Sequence, residues 1–334
     1  MILPVRACHS DRVNVKDRFI AGGYAAAWSL IRAMPEKTAY RLFDRIADRV
    51  WKRRGPQVLQ LEANLLRVLG KDTTPESLAA TSRKGMRSAM RYYCEAFRLN
   101  GWDRRRLVDS VDIADEDRAR LAEAVRPERG AVLALGHTGN YDHAGAWLVA
   151  TFSIGFTTVA ENLKPEAVAE RFWAYRRKLG MEVLPHDGGP AVFGTLARRL
   201  REGGTVCLVA DRDLGASGVP VDFFGETTRI AAGPAALAVQ TGCRVYPASL
   251  WYPGPGRLGI RIHPEIPVPP DGTRREKIAR MTQTLADAYA EGIAAHPEDW
   301  HMLQKYFLAD LDPGKPPAPD GRPSPRGHDQ DSPV

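Results

Sequence analysis

The sequence predicts an α/β protein with a helical N-terminal region, and three observations carry that prediction. Helical patterning dominates as far as about residue 125. Beyond it, short apolar runs of strand length alternate with stretches of helix length. The first of those runs passes through a glycine-flanked turn directly into a helix start, the kind of strand end at which open α/β sheets bind ligands.

In chain order, the uncharged stretch Phe19 to Ile31 has thirteen residues, whereas a spanning helix needs roughly 20. It is too short to cross a bilayer. Next, TAYRLFDRIADRVWKRR places Leu42, Phe43, Ile46 and Val50 on one helical face with Trp51 beside it, and Arg41, Arg45, Arg49, Lys52, Arg53 and Arg54 largely facing away. A basic amphipathic helix with an aromatic end suits an anionic lipid surface; it also suits a packed surface helix with solvated arginines. Strands are expected at Ala131 to Gly136, Gly155 to Ala160, Met181 to Pro185, Thr205 to Ala210, Arg244 to Trp251 and Leu258 to Ile262. The intervening helices are expected at Asp142 to Thr151, Pro165 to Leu179, Pro190 to Arg201, Gly233 to Gln240 and Thr273 to Ala295. From Asp312 onward, proline and polar residues replace apolar ones, so 312–334 reads as a disordered tail. The resulting division is an N-terminal segment 1–16, one domain 17–311 with a helical, membrane-facing part (17–125) and an α/β core (126–311), and the tail.

Composition sets the conditions. With 44% hydrophobic and 26% charged residues the chain is an ordinary globular sequence, long enough to bury a large core. Its formal net charge of +7 suits an anionic partner. Basic residues are interspersed with acids and no aromatic platform motif is visible, which argues against nucleic acid. Cys8, Cys94, Cys207 and Cys243 are scattered without a CxxC pair, and MILPVRACHS lacks the features of a secretory signal. A reduced, cytosolic setting is expected.

The run LALGHTGNYDHAGAWL holds the most informative chemistry. His137 ends an apolar strand, and Asp142 follows five positions later in the first turn of a helix that Asn140 would cap. A neutral imidazole removes the proton of a sugar or glycerol hydroxyl as attack begins, and a carboxylate on its other nitrogen fixes the tautomer. The substrate hydroxyl then takes the place of a protease serine, so transfer is direct. Gly136 and Gly139 permit a sharp bend, and amides at the helix start are placed to receive an oxyanion. His143, aimed elsewhere on the helix, reads as structural.

The second constellation is TVCLVADRDLGASGVPVDFFGETTRIAAG, residues 205–233. Asp211 is placed to complete a relay to His137, and Glu226 is a second candidate carboxylate. Arg212 and Arg229 are suited to hold phosphate or pyrophosphate through forked hydrogen bonds. The competing reading is an Asp and Arg network that only shapes the loop. Phe223 and Phe224 suit an acyl channel, a lipid face or the core equally.

Taken together, GGYAAAWSLIRAMPE, YYCEAFRLN, LALGHTGNYDHAGAWL, TTVAENLKPE, ADRDLGASGVPVDFFGE, RIAAGPAALAVQTG and PEDWHMLQ resemble, in this order, the bacterial lysophospholipid acyltransferases related to the lipid A lauroyl and myristoyl acyltransferases. The likeness covers nearly the whole chain. It implies a twisted, mostly parallel central sheet wrapped by helices, glycerolipid acyltransferase-like, with a hydrophobic tunnel for the acyl chain and an open groove for a headgroup. It also implies a peripheral enzyme on the cytoplasmic face of the cell membrane, moving palmitoyl from acyl-CoA to a mannose hydroxyl of mannosylated phosphatidylinositol, with no cofactor and no metal. On that pattern His137 is the general base, Asp142 the second motif residue and Asp211 the relay acid, where the family more often has glutamate. Arg176 resembles an arginine near the active site, and His301 a residue that meets the acceptor headgroup.

Three alternatives remain at this level: an acyltransferase for another lysophospholipid or glycolipid, a metal-dependent hydrolase using His137, Asp142, His143 and Asp211, and a non-catalytic lipid-binding protein whose basic N-terminal helices carry the function. No HExxH or comparable spacing favours the second.

Overall fold

The computed structural model describes residues 28–160, 173–213 and 217–311. The expected disordered tail, the segment 1–16, Cys8 and the first half of the helix expected at 165–179 lie outside the described residues.

Beyond a helical stretch at 28–33, the described N-terminal region contains α1 (Glu36–Lys52), α2 (Pro56–Leu69) and α3 (Pro75–Arg98). Proline opens both α2 and α3, where its missing N–H costs nothing, and Thr74 caps α3 by accepting from the Ser77 amide. In α1 the buried residues are Ala39, Phe43 and Ala47, spaced four apart. The expected single apolar face is therefore split. Phe43 packs inward, whereas Leu42 and Ile46 are exposed beside Arg41, Arg45 and Arg49. The inward stripe is narrow because small alanines let α1 approach α3 closely.

After α4 (Arg104–Asp109) the chain enters the sheet at β1 (Val111–Ile113), followed by α5 (Asp115–Ala124), β2 (Ala131–Leu135), α6 (Tyr141–Phe152), β3 (Phe156–Ala160), β4 (Met181–Pro185), α7 (Gly189–Arg201) and β5 (Thr205–Val209). A hairpin, β6 (Val219–Phe223) and β7 (Glu226–Ile230), precedes α8 (Gly233–Thr241), β8 (Arg244–Trp251), β9 (Leu258–Ile262) and α9 (Arg274–Ala295), the last held by a Thr273/Glu276 capping box. The seven-stranded sheet runs β1-β9-β8-β2-β5-β3-β4. All of its pairings are parallel except β8 with β9. Helices cover both faces, as a parallel sheet requires.

The expected strands are all present within a residue of their boundaries. Two features escaped the sequence reading. β1 is a three-residue edge strand, too short to show a period, and the β6–β7 hairpin falls where no strand is expected. Pro220 and Asp222 interrupt β6, yet Val221 and Phe223 alternate inward and pack on the core.

β2 shows why its sequence is apolar at every position. Val132 and Ala134 face a core shared with α7, α8 and α9, while Ala131, Leu133 and Leu135 face a second core under α5 and α6. A strand buried on both sides has no polar face to alternate. Each leucine buried there contributes about 1.5–3 kcal/mol, so the strand that carries the site is rigidly anchored.

Candidate active site

The parallel register pairs Leu135 of β2 with Val209 of β5. Two residues beyond each strand end, His137 therefore meets Asp211. Asp211 is fully buried and gives both carboxylate oxygens to one residue: Oδ2 accepts the His137 backbone N–H at 2.8 Å, and Oδ1 lies 2.5 Å from Nδ1. Gly136 makes this approach possible, because a Cβ there would lie 3.2 Å from Asp211 Oδ2. The bare Cα lets the carboxylate slide beneath the turn. Gly139 adopts φ +52° and packs against Leu250, a conformation that favours glycine.

Burial alone would push the Asp211 carboxyl up, but the charge of the imidazole and the two His137 N–H donors outweigh it and hold the group below the ordinary carboxylate range. An ionised Asp211 accepts, so Nδ1 carries the proton and Nε2 is the basic nitrogen. The imidazole is 44% exposed while its carboxylate is sealed. The geometry is that of an orienting acid behind an accessible base. The aspartate is long enough.

Asp142 does not share that role, which corrects the reading that its spacing made it the carboxylate orienting His137. Asn140 caps α6 by accepting from the His143 amide, and the helix carries Asp142 toward α3. There its carboxylate accepts from Arg176 Nε at 2.8 Å, Arg176 Nη2 at 3.3 Å and the Tyr92 hydroxyl at 2.9 Å. Asp142 and Arg176 form a buried ion pair. It holds the Arg176 guanidinium charged despite burial and anchors the first turn of α6.

Of the other expected site residues, Glu226 is away from the imidazole. It is ion-paired to Arg67, which also grips Asp310, so it ties α2 to the end of the described chain. Arg212 donates to Gln304. The Arg229 carbonyl accepts from the Asp213 amide, pinning the loop after β5 along β7. Phe223 packs among Trp300, Tyr306 and Phe307 in the core, not in a channel.

His301 is brought close. Its backbone N–H donates to the His137 carbonyl at 2.8 Å, and the Gly139 N–H donates to the Asp299 carbonyl, so residues 299–301 run antiparallel to the turn. Burial and the neighbouring His137 push the His301 imidazole down to about 3, keeping it neutral. His143 is fully buried against Ser110, at 2.7 Å, and burial pushes it down to about 4. Of the four side chains of the metal-hydrolase alternative, His137 and Asp211 bond each other while Asp142 and His143 turn to other partners, and among the described residues no cluster of three ligands forms.

Sequence reasoning missed three residues of α3. Ser88, Tyr92 and Glu95, spaced i, i+4 and i+7, form a polar stripe on its inward side. Ser88 contacts Asp299 and His301, Tyr92 contacts Asp142, and Glu95 accepts from the Asn140 side chain at 2.9 Å. Tyr40 and Arg91 complete the shell of the buried Glu95 carboxylate. The signal available was three polar residues sharing one face of the helix at i, i+4 and i+7.

Between the sheet and α6 lies a small, mostly apolar cavity. Leu133, Leu135, Cys207 and Leu250 form its apolar floor, and Gly145 of α6 its roof. Tyr141, Asp142 and Arg176 make a polar end, at the helix start that follows His137. Burial pushes the Cys207 thiol up, so it lines the wall as an apolar group. Ser249, His263 and Glu291 also stand in a row, at 2.8 and 3.6 Å, but Gly292 packs its Cα onto the serine hydroxyl, leaving no space for a substrate.

Comparisons with known proteins identify the family. The family model described as bacterial lipid A biosynthesis acyltransferase matches residues 9–309. The chain is 47% identical over 305 residues to a phosphatidylinositol mannoside acyltransferase of Mycolicibacterium smegmatis, covering 90% of this chain and 96% of that protein. It is 46% identical over 291 residues to the protein of the same name from Mycobacterium tuberculosis strain CDC 1551 / Oshkosh, covering 86% and 88%. With a parallel-sheet fold, a histidine–aspartate pair at adjacent strand ends and this extent of similarity, the chain is an acyltransferase and belongs to the bacterial lipid A biosynthesis acyltransferase family.

Proposed function

We propose that the chain transfers a palmitoyl group from acyl-CoA to a mannose hydroxyl of a phosphatidylinositol mannoside, while bound peripherally to the cytoplasmic face of the cell membrane. The observation that carries this reading is the His137–Asp211 pair beside an apolar cavity. The names of the similar mycobacterial proteins support the acceptor.

The chemistry follows from the geometry. His137 Nε2 takes the proton of the acceptor hydroxyl as its oxygen bonds to the thioester carbonyl carbon. Asp211 stabilises the imidazolium that forms. The tetrahedral intermediate collapses with cleavage of the C–S bond, and the imidazolium returns its proton to the departing thiolate. The amides at the α6 start not taken by Asn140 or Asp299 are assigned to the developing oxyanion. Arg176, whose guanidinium is occupied by Asp142, serves by fixing that helix. In this reading the cavity takes the acyl tail, and Arg212 and Arg229, by their charge, take the phosphate of a substrate.

Exposed Leu42 and Ile46 among the arginines of α1 support the membrane reading. Among the described residues no helix is long and apolar enough to cross a membrane.

The test is incubation of purified protein with labelled palmitoyl-CoA and a panel of acceptors, followed by mass spectrometry. An acylated product formed only with mannosylated phosphatidylinositol, and lost in His137→Ala, supports the proposal. Transfer to a lysophospholipid or another glycolipid instead would replace the acceptor. Lipid binding without transfer to any acceptor would leave a non-catalytic lipid-binding protein.

A further inference from the structure

Ser88 sits between two partners of opposite demand. Its hydroxyl lies 2.5 Å from Asp299 Oδ1 and 2.7 Å from His301 Nε2. Asp299 Oδ2 is already taken, accepting the Tyr252 backbone N–H at 2.8 Å. Burial pushes the Asp299 carboxyl up to about 6, which still leaves it an anion at and above neutral pH. An anion only accepts, so the Ser88 proton points to Asp299. The serine oxygen must then accept from the imidazole, which places the His301 proton on Nε2 and leaves a bare lone pair on Nδ1. Among the described residues no group bonds that nitrogen.

We infer that Ser88 and Asp299 are positioning residues that fix His301 as its Nε2–H tautomer, so that Nδ1 is offered as a hydrogen-bond acceptor to the hydroxyl-bearing substrate beside His137. The inference rests on the proposed transfer to a sugar hydroxyl for its substrate, but the tautomer follows from the hydrogen bonds alone. The backbone link from His301 N–H to the His137 carbonyl keeps the two rings on one strap. One imidazole then removes a proton while the other receives a hydrogen bond from a hydroxyl of the same sugar. A second acceptor beside the base selects a polyol over a simple alcohol, because each lone pair demands a donor.

Asp299→Asn gives the decisive test, because it keeps the number of hydrogen bonds and reverses their direction. The new amide oxygen must accept from Tyr252 N–H, so its NH₂ faces Ser88. The serine hydroxyl then donates its hydrogen bond to a bare His301 Nε2, and the imidazole proton sits on Nδ1. Full-length protein labelled with ¹⁵N-histidine, with the His301 signals assigned through His301→Gln, reports the tautomer in long-range ¹H–¹⁵N spectra near neutral pH. The expected result is a bare Nδ1 in the wild type and in Ser88→Thr, and a protonated Nδ1 in Asp299→Asn. Steady-state kinetics of the same variant should show kcat/KM for the acceptor down about tenfold, the loss of one hydrogen bond turned into a clash of donors, with KM for acyl-CoA unchanged. A protonated Nδ1 in the wild type overturns the inference. So does Asp299→Asn with wild-type tautomer and acceptor kinetics. If the wild type acylates no sugar acceptor, the proposed function fails, and the spectra still decide whether Ser88 and Asp299 orient the ring.

Discussion

At Asp211 a single carboxylate performs two tasks, bracing the backbone of the turn through one oxygen and the imidazole through the other. Asp211→Asn separates them, since an amide can still brace the turn but carries no charge to stabilise an imidazolium. Turnover should fall by several orders of magnitude with the fold retained. Activity in the wild type should rise with pH as the base loses its proton. Removing the anion disfavours the protonated ring, so the residual activity of the variant should have its rising limb at lower pH, a shift read from kcat/KM profiles. The two residues of this dyad were legible in the sequence because each stands just past an apolar run. The partner of Asp142 was not. A spacing of five between His137 and Asp142 says nothing about which way the second side chain leaves its helix, and only the cap at Asn140 and the nearness of α3 decide it.

α3 and α6 meet through buried polar groups, and the Asp142–Arg176 pair is the costliest to disturb. Arg176→Leu would strand a buried anion, and stability should fall by about 3–5 kcal/mol in urea melts. Adding Asp142→Leu to that variant should restore most of it, since apolar pairs substitute well for buried ion pairs. A polar stripe was legible but this interface was not, because Ser88, Tyr92 and Glu95 are ordinary residues for an exposed helix face and only packing shows that they are inside. α1 has the opposite character, with its arginines and two aliphatic side chains outward. Replacing Arg41, Arg45 and Arg49 together by alanine should weaken partition onto vesicles rich in anionic lipid by about a hundredfold at low salt, at about 1 kcal/mol per basic residue near the surface. Flotation measures it, and transfer to dispersed substrate should be preserved.

Across the molecule, the order β1-β9-β8-β2-β5-β3-β4 puts β2 at the centre, with later strands added on both sides. The site stands at the end of this central strand and its neighbour β5, where the sheet switches direction of growth. The strands themselves were readable from apolar runs, but their order was not, since periodicity within a strand carries no information about its neighbour. The aromatic cluster of Phe223, Trp300, Tyr306 and Phe307 closes the sheet's other face. Trp300→Ala should cost about 3–5 kcal/mol in thermal or urea unfolding. That cluster belongs to a stretch that also reaches both halves of the dyad: residues 299–301 brace the His137 turn, and the Tyr306 hydroxyl donates to the Asp211 carbonyl at 2.8 Å. The base and its acid are therefore held in register only after a ribosome has released the chain through Tyr306. Until then the growing chain cannot spend thioesters.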